Sequence, residues 1–152
     1  MQHRGSKLTL IKIIAAMVSS VIFSLYVSWR AYTPVAERIA DVYYYPFNGI
    51  FAFNFVPIFF IFTILGVMLS FVIERIVFNK FNMMGVKGIL TLTSAYISLG
   101  IISGILIGVF FLGVNSIIHI YMLRFLTLTI FGALLFLFIQ TIFVFGVYKL
   151  AR

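Results

Sequence analysis

The sequence predicts an all-α bundle of four transmembrane helices, because of its composition and its long apolar runs. Of its 152 residues, 64% are hydrophobic and only 9% are charged. A soluble domain has about 45–50% apolar and about 25% charged residues. So few charges cannot cover the surface of a protein in water, whereas the hydrocarbon of a bilayer accepts an apolar surface. We therefore expect residues 1–152 to form a single membrane domain in contact with the lipid bilayer.

Four apolar runs are long enough to cross a bilayer. We place the spans at about residues 11–29, 51–73, 88–112 and 125–147. Each is close to or above the ~20 residues that a helix needs to cross a hydrocarbon core of ~30 Å. Polarity does not alternate along these runs, which argues against the strands of a barrel. Helices then satisfy the backbone N–H and C=O groups within the membrane.

Positive charge is divided unevenly among the segments that flank the spans. Eight of the eleven Lys and Arg residues fall in the N-terminal segment, the middle loop and the C-terminal segment, and three (Arg30, Arg38 and Arg124) fall in the other two loops. Because Lys and Arg accumulate on the cytoplasmic side, we expect a cell-membrane protein with both termini in the cytoplasm. The net charge of +8 then indicates orientation and no nucleic-acid partner, since the basic residues flank apolar runs.

The longest loop, residues 30–50, is expected to carry a short helix on the membrane surface. Thr33 is placed to cap this helix, and Val35, Ile39 and Val42 would share its apolar face. Residues 45–49 contain Pro and Gly in an order that predicts a turn before the second span.

Small residues recur at every fourth position on three of the predicted spans, so that each set shares one helix face. Such faces let two backbones approach closely, which is how membrane helices gain packing energy. We therefore expect the first and third spans to pack together; the alternatives are a face that lines a pathway or forms a dimer. The small residues are Ala16, Ser20, Ser24 and Ser28 on the first span, Gly66 and Ser70 on the second, and Gly100, Gly104 and Gly108 on the third.

Glu74 is the acid that lies nearest to a span, and it continues the face formed by Gly66 and Ser70. An unpaired carboxylate at that depth is unfavourable, so we expect an ion pair with Lys12 or Lys149. The alternative is a proton or cation site. Two further cations are expected near the same membrane boundary, namely Lys87 and Arg75.

The sequence offers no catalytic, cofactor-binding or metal-binding constellation. It has no cysteine, and its two histidines fall on opposite sides of the membrane in this topology. Neither a nucleophile elbow nor a phosphate-binding glycine loop is present. We therefore expect no enzymatic activity and no cofactor. Gln140, which is strongly polar within the fourth span, is expected to hydrogen-bond a neighbouring helix or to line a cavity.

One segment carries a family resemblance. Residues 43–75, YYYPFNGIFAFNFVPIFFIFTILGVMLSFVIER, place YPFN before a Phe-rich span and cover about a quarter of the chain. This segment resembles a group of small four-span membrane proteins of Bacillus-type bacteria that has no assigned activity. The resemblance implies a bacterial four-span protein and transfers no functional residue.

Three functions are compatible with these features. The first is a non-catalytic protein that acts through helix contacts with a membrane-protein partner or a second copy, as an accessory subunit, immunity protein or envelope component. The alternative is a small oligomeric transporter or flippase. In size and span number the chain is similar to small multidrug transporters, but it lacks the acidic residue that those proteins carry in the first span. A holin-like pore former is the third, although the chain has no charged tail.

Overall fold

A computed structural model describes residues 2–80, 85–112 and 120–150, with side chains for residues 8–77, 86–109 and 123–146. The first span is one long helix and the second is interrupted by turns of π-helix. The helices are α1 (Gln2–Ala31), α2 (Phe47–Ile61), α3 (Val67–Glu74), α4 (Gly85–Leu112) and α5 (Ile120–Leu150), with π-helical segments at Phe62–Gly66 and Arg75–Lys80.

The predicted fold class is confirmed. Over the described residues the chain contains helices and no strand. Four of the helical runs are long and apolar enough to cross a membrane: α1, α2 with α3, α4, and α5. Many large apolar side chains on these runs are exposed, as contact with lipid requires.

The four spans are arranged so that the first and third lie on a diagonal. The first span contacts the second and the fourth, and the third contacts the fourth and α3. No described Cα of α1 lies within 8 Å of one in α4. The prediction that the first and third spans pack together is therefore wrong. We call the end where α1 begins and α5 ends the termini end, and the opposite end the loop end.

The glycine face of the third span packs against the fourth span instead. A Cβ atom added to Gly100 would lie 2.7 Å from the Cα of Ile130, and one added to Gly104 would collide with the side chain of Thr129. Gly108 is also buried. These glycines allow the α4 and α5 backbones to approach closely.

The small residues of the first span face the interior as well. Ala16, Ser20, Ser24 and Ser28 are fully buried. At the loop end, Ser28 Oγ accepts a hydrogen bond from Asn54 Nδ2 of the second span at 3.1 Å. This face therefore contacts the second span rather than the third.

Aromatic rings fill the middle of the bundle. Phe23, Phe62, Tyr96 and Phe136 come one from each span and belong to the same buried cluster. Ring centroids are 5.7 Å apart for Phe23 and Phe62, and 6.3 Å apart for both Phe62 with Phe136 and Tyr96 with Phe136. The π-helical segment turns the second span so that Phe62 and Val67 both face this core.

The long loop differs from its prediction in two places. The expected surface helix is a single exposed 3₁₀ turn, Val35–Glu37, without a side-chain cap. Instead, the guanidinium of Arg38 donates to the carbonyl of Thr33 at 3.1 Å and closes the loop without a helix. Residues 47–49 belong to α2, and the Ile50 N–H donates to the Pro46 carbonyl at 3.1 Å, so the helix begins where a turn was expected.

Candidate functional site

An ion pair joins the first and second spans at the termini end of the bundle. Lys12 Nζ lies 2.8 Å from Glu74 Oε2, and the two side chains are 2% and 25% exposed. The same ammonium lies 3.8 Å from the centre of the Phe71 ring. A buried charge without a partner is strongly unfavourable, so both contacts stabilise Lys12 in this position.

Two polar side chains extend the pair to the other two spans. Gln140 Nε2 donates a hydrogen bond to Glu74 Oε1, and the Tyr96 hydroxyl donates to Gln140 Oε1 at 3.4 Å. Tyr96 and Gln140 are both buried. Lys12, Glu74, Tyr96 and Gln140 therefore form a connected group with one member from each span, which we call the four-span cluster.

The cluster extends from the limits of the predicted spans towards the interior. In the spans placed from the sequence, Lys12 and Glu74 lie at the limits of the first and second spans, whereas Gln140 and Tyr96 lie seven and eight residues inside the fourth and third, or about 10 and 12 Å at 1.5 Å per residue. Ionisable groups that face the interior of a membrane bundle are rare, and they commonly belong to substrate, ion or proton pathways.

The remaining predicted site residues are distributed as follows. Ser70 is buried and donates to the Val67 carbonyl at 3.0 Å, and a Cβ on Gly66 would lie 3.8 Å from the Phe136 ring. Lys87 and Arg75 are exposed. Lys149 belongs to α5, but its side chain lies outside the described residues, so its pairing with Glu74 stays a prediction.

A cavity that the sequence did not indicate lies in the loop-end half of the bundle. Its volume is about 440 Å³, and all four spans line it. Its lining is apolar except for the polar side chains of Asn54, Tyr96, Ser103 and Thr129. The ring of Tyr96 forms part of the cavity wall while its hydroxyl belongs to the four-span cluster, so the two features meet at this residue.

Tyr96 is the site residue that sequence reasoning missed. Tyr prefers the membrane–water boundary, where its ring is apolar and its hydroxyl reaches water. A Tyr about 12 Å inside the predicted third span therefore needs an internal hydrogen-bond partner, so its position in the sequence could have identified it. No sequence feature indicated the cavity, because the cavity depends on which helices are not in contact with each other.

The class of protein follows from these features. Four apolar helices with polar groups on their inner faces make this chain a multi-pass membrane protein. No group of three or more His, Cys, Asp or Glu side chains that could hold a metal ion occurs among the described residues. Comparisons with known protein families, curated proteins and solved structures give no match.

Proposed function

We propose that this chain is a small transporter or flippase that carries an apolar molecule taken from the bilayer. The observation that carries the proposal is the four-span cluster, which buries an ion pair between the first two spans and touches an apolar cavity through Tyr96. Cavities of about 300–1,000 Å³ with apolar walls and a few polar groups are typical of small-molecule sites.

The ion pair provides a two-state element. The Glu74 side chain is partly exposed, whereas Lys12 is buried. Protonation of Glu74 would leave the Lys12 ammonium buried without its counter-charge, which favours a different arrangement of the first and second spans. The bundle with this ion pair formed and the bundle with it broken would therefore differ in conformation, which is the kind of two-state element that coupled transport requires.

Tyr96 connects this element to the cavity. A molecule in the cavity contacts the Tyr96 ring, and the Tyr96 hydroxyl holds Gln140, which in turn holds Glu74. Occupation of the cavity and protonation of Glu74 thus act on one connected set of side chains. This connection supports coupled transport over simple binding.

The orientation and location are proposed from charge. Eight Lys and Arg residues flank the termini end and three flank the loop end, which supports a cytoplasmic termini end. The resemblance of residues 43–75 to Bacillus-type proteins supports a bacterial cell membrane. The chain would work in this membrane as an oligomer.

The test is lipid and proton movement in proteoliposomes. A fluorescent NBD-labelled phospholipid is followed by its accessibility to dithionite, with and without a proton gradient, for the native chain, Glu74→Gln and Glu37→Gln. We expect gradient-dependent movement that Glu74→Gln abolishes and that Glu37→Gln, which changes an exposed loop carboxylate, preserves. Gradient-dependent movement that survives Glu74→Gln in a folded protein would contradict the proposal.

A second candidate is a non-catalytic protein that acts through helix contacts, as an accessory, immunity or envelope component. The surface of α2 favours it: α2 packs against the first span, while Phe53 and Phe60 on its other sides are 83% and 56% exposed. A photo-crosslinking residue at Phe60 should then capture one membrane-protein partner or a second copy, and the same residue at exposed Ile142 should not. Equal labelling by lipid at both positions would argue against this function.

A further inference from the structure

The cavity in the loop-end half has walls suited to hydrocarbon. Phe23 and Val27 of the first span, Ile107 of the third and Leu128 of the fourth form much of its lining. Its volume of about 440 Å³ lies within the range of cavities that hold small apolar molecules.

The cavity opens sideways into the bilayer. No described Cα of α2 lies within 8 Å of one in α4 or α5, so the second span stands apart from the third at the loop end. Phe53 and Pro57 line the cavity from α2, and both are exposed at the protein surface. A hydrocarbon chain in the membrane can therefore enter without crossing water.

Two arginines lie just beyond the cavity at the membrane boundary. Arg124 is one helical turn from Leu128 on the same face of α5, and Arg30 is one turn beyond Val27 on α1. Both are exposed, and within the described part of the chain neither has a carboxylate partner, although Arg30 donates a hydrogen bond to the Tyr26 hydroxyl at 3.4 Å. The third arginine of this end, Arg38, is hydrogen-bonded within the loop to Thr33 and Tyr32.

We infer that the cavity binds one acyl chain of an anionic phospholipid, with the phosphate at Arg124 and Arg30. The apolar lining matches the chain, the opening faces the bilayer, and the exposed arginines match the negative headgroup. The inference rests on the proposed function in that it names the occupant of the same cavity. Binding itself does not require transport and is measured separately.

Native mass spectrometry of the delipidated full chain tests the inference. Phosphatidylglycerol and phosphatidylcholine with identical acyl chains are titrated against the native protein, Ser103→Phe and Ile102→Phe. We expect one tightly bound phosphatidylglycerol per chain, which Ser103→Phe removes by filling the cavity. Ile102→Phe places the same ring on the exposed neighbouring residue and should retain the lipid. Retention of the lipid by folded Ser103→Phe would overturn the inference.

A second pair of variants tests the headgroup and does not depend on filling the cavity. Arg124→Gln should weaken phosphatidylglycerol binding about fivefold, the effect of one cation near a lipid surface, and leave phosphatidylcholine unchanged. Lys87→Gln, an exposed cation at the opposite end, should change neither. Equal affinities for the two lipids, unaffected by Arg124→Gln, would contradict the assignment of the phosphate.

The experiments distinguish failure of the lipid-binding inference from failure of the proposed transport function. Glu74→Gln should still bind phosphatidylglycerol, because Glu74 lies outside the cavity. Lipid binding without gradient-dependent movement in the native protein would remove the proposed function and leave the binding site. Movement of labelled lipid without saturable binding at the cavity would remove this inference and leave the function.

Discussion

At the termini end of the bundle the second span reaches the third, whereas at the loop end it does not. Cα atoms of α3 lie within 8 Å of α4, and no described Cα of α2 does. The termini end holds the four-span cluster, and the loop end holds an apolar cavity. Lipid covers apolar surface as well as a neighbouring helix does, so apolar faces alone do not strongly favour contact between two helices over contact with lipid. Hydrogen bonds and charge pairing favour contact between the helices at the termini end.

The third and fourth spans are joined by another interaction. The close approach at Gly100 brings backbone against backbone, and the gain comes from dispersion and not from a hydrophobic driving force. The bundle therefore depends on a polar cluster, a glycine contact and a weaker hydrogen bond at the loop end. The three can be removed one at a time.

The largest loss of stability is expected from Glu74→Ala, which leaves Lys12 buried without its carboxylate partner. Removing one member of a buried ion pair costs about 3–5 kcal/mol, and the partial exposure of Glu74 places this pair near the lower limit, about 3 kcal/mol. The free energy of unfolding, measured by denaturation in mixed detergent micelles, should fall by this amount.

Two variants serve as controls for that measurement. Glu37→Ala removes an exposed loop carboxylate and should change stability by less than about 0.5 kcal/mol. The double variant Lys12→Met/Glu74→Leu removes both charges and should recover most of the loss. Equal stability of Glu74→Ala and Glu37→Ala would show that the termini end does not depend on the ion pair.

The second-largest loss of stability is expected from Gly100→Ala. Its added Cβ would lie 2.7 Å from the Cα of Ile130, so the two helices must separate. Overpacking of this kind costs about 2 kcal/mol. Gly146→Ala on α5 is the matched control, because its Cβ would meet nothing within 4 Å. If both variants are equally stable in the same denaturation assay, the close contact of the third and fourth spans is not needed for stability.

The sequence predicted the number of spans and the region of the polar site well, for physical reasons. Lipid requires about 20 apolar residues per helix, so the spans are visible in composition alone. Glu74 had to find a cation at its own depth, and Lys12 was one of few at that level. Neither inference depends on the order of helices around the bundle.

The choice of helix neighbours could not be predicted in the same way. A small-residue repeat identifies the face that packs but not the helix that it meets, and the Gly100 face meets the fourth span rather than the first. The cavity depends on the separation of α2 from α4 and α5, which no local pattern encodes. The predicted loop helix is reduced to a 3₁₀ turn, and the Thr33 carbonyl accepts a hydrogen bond from the Arg38 guanidinium, a contact that no local pattern predicted.

The smallest effect is expected at the loop end, where Asn54 donates to Ser28 at 3.1 Å. Side-chain hydrogen bonds between membrane helices contribute about 0.6 kcal/mol on average. Removing Asn54 should cost little more, because the Ser28 hydroxyl can turn to a carbonyl of its own helix, as Ser19 does with Ala15. We therefore expect Asn54→Ala and Ser28→Ala each to lower the free energy of unfolding by about 0.6 kcal/mol, with no further loss in the double variant.

Ser24→Ala is the control on the same face, since Ser24 Oγ has no hydrogen-bond partner among the described residues and its removal should cost nothing. A coupling between Asn54 and Ser28 as strong as that between Lys12 and Glu74 would show that polar contacts close both ends of the bundle equally, and the open loop end would then need another explanation.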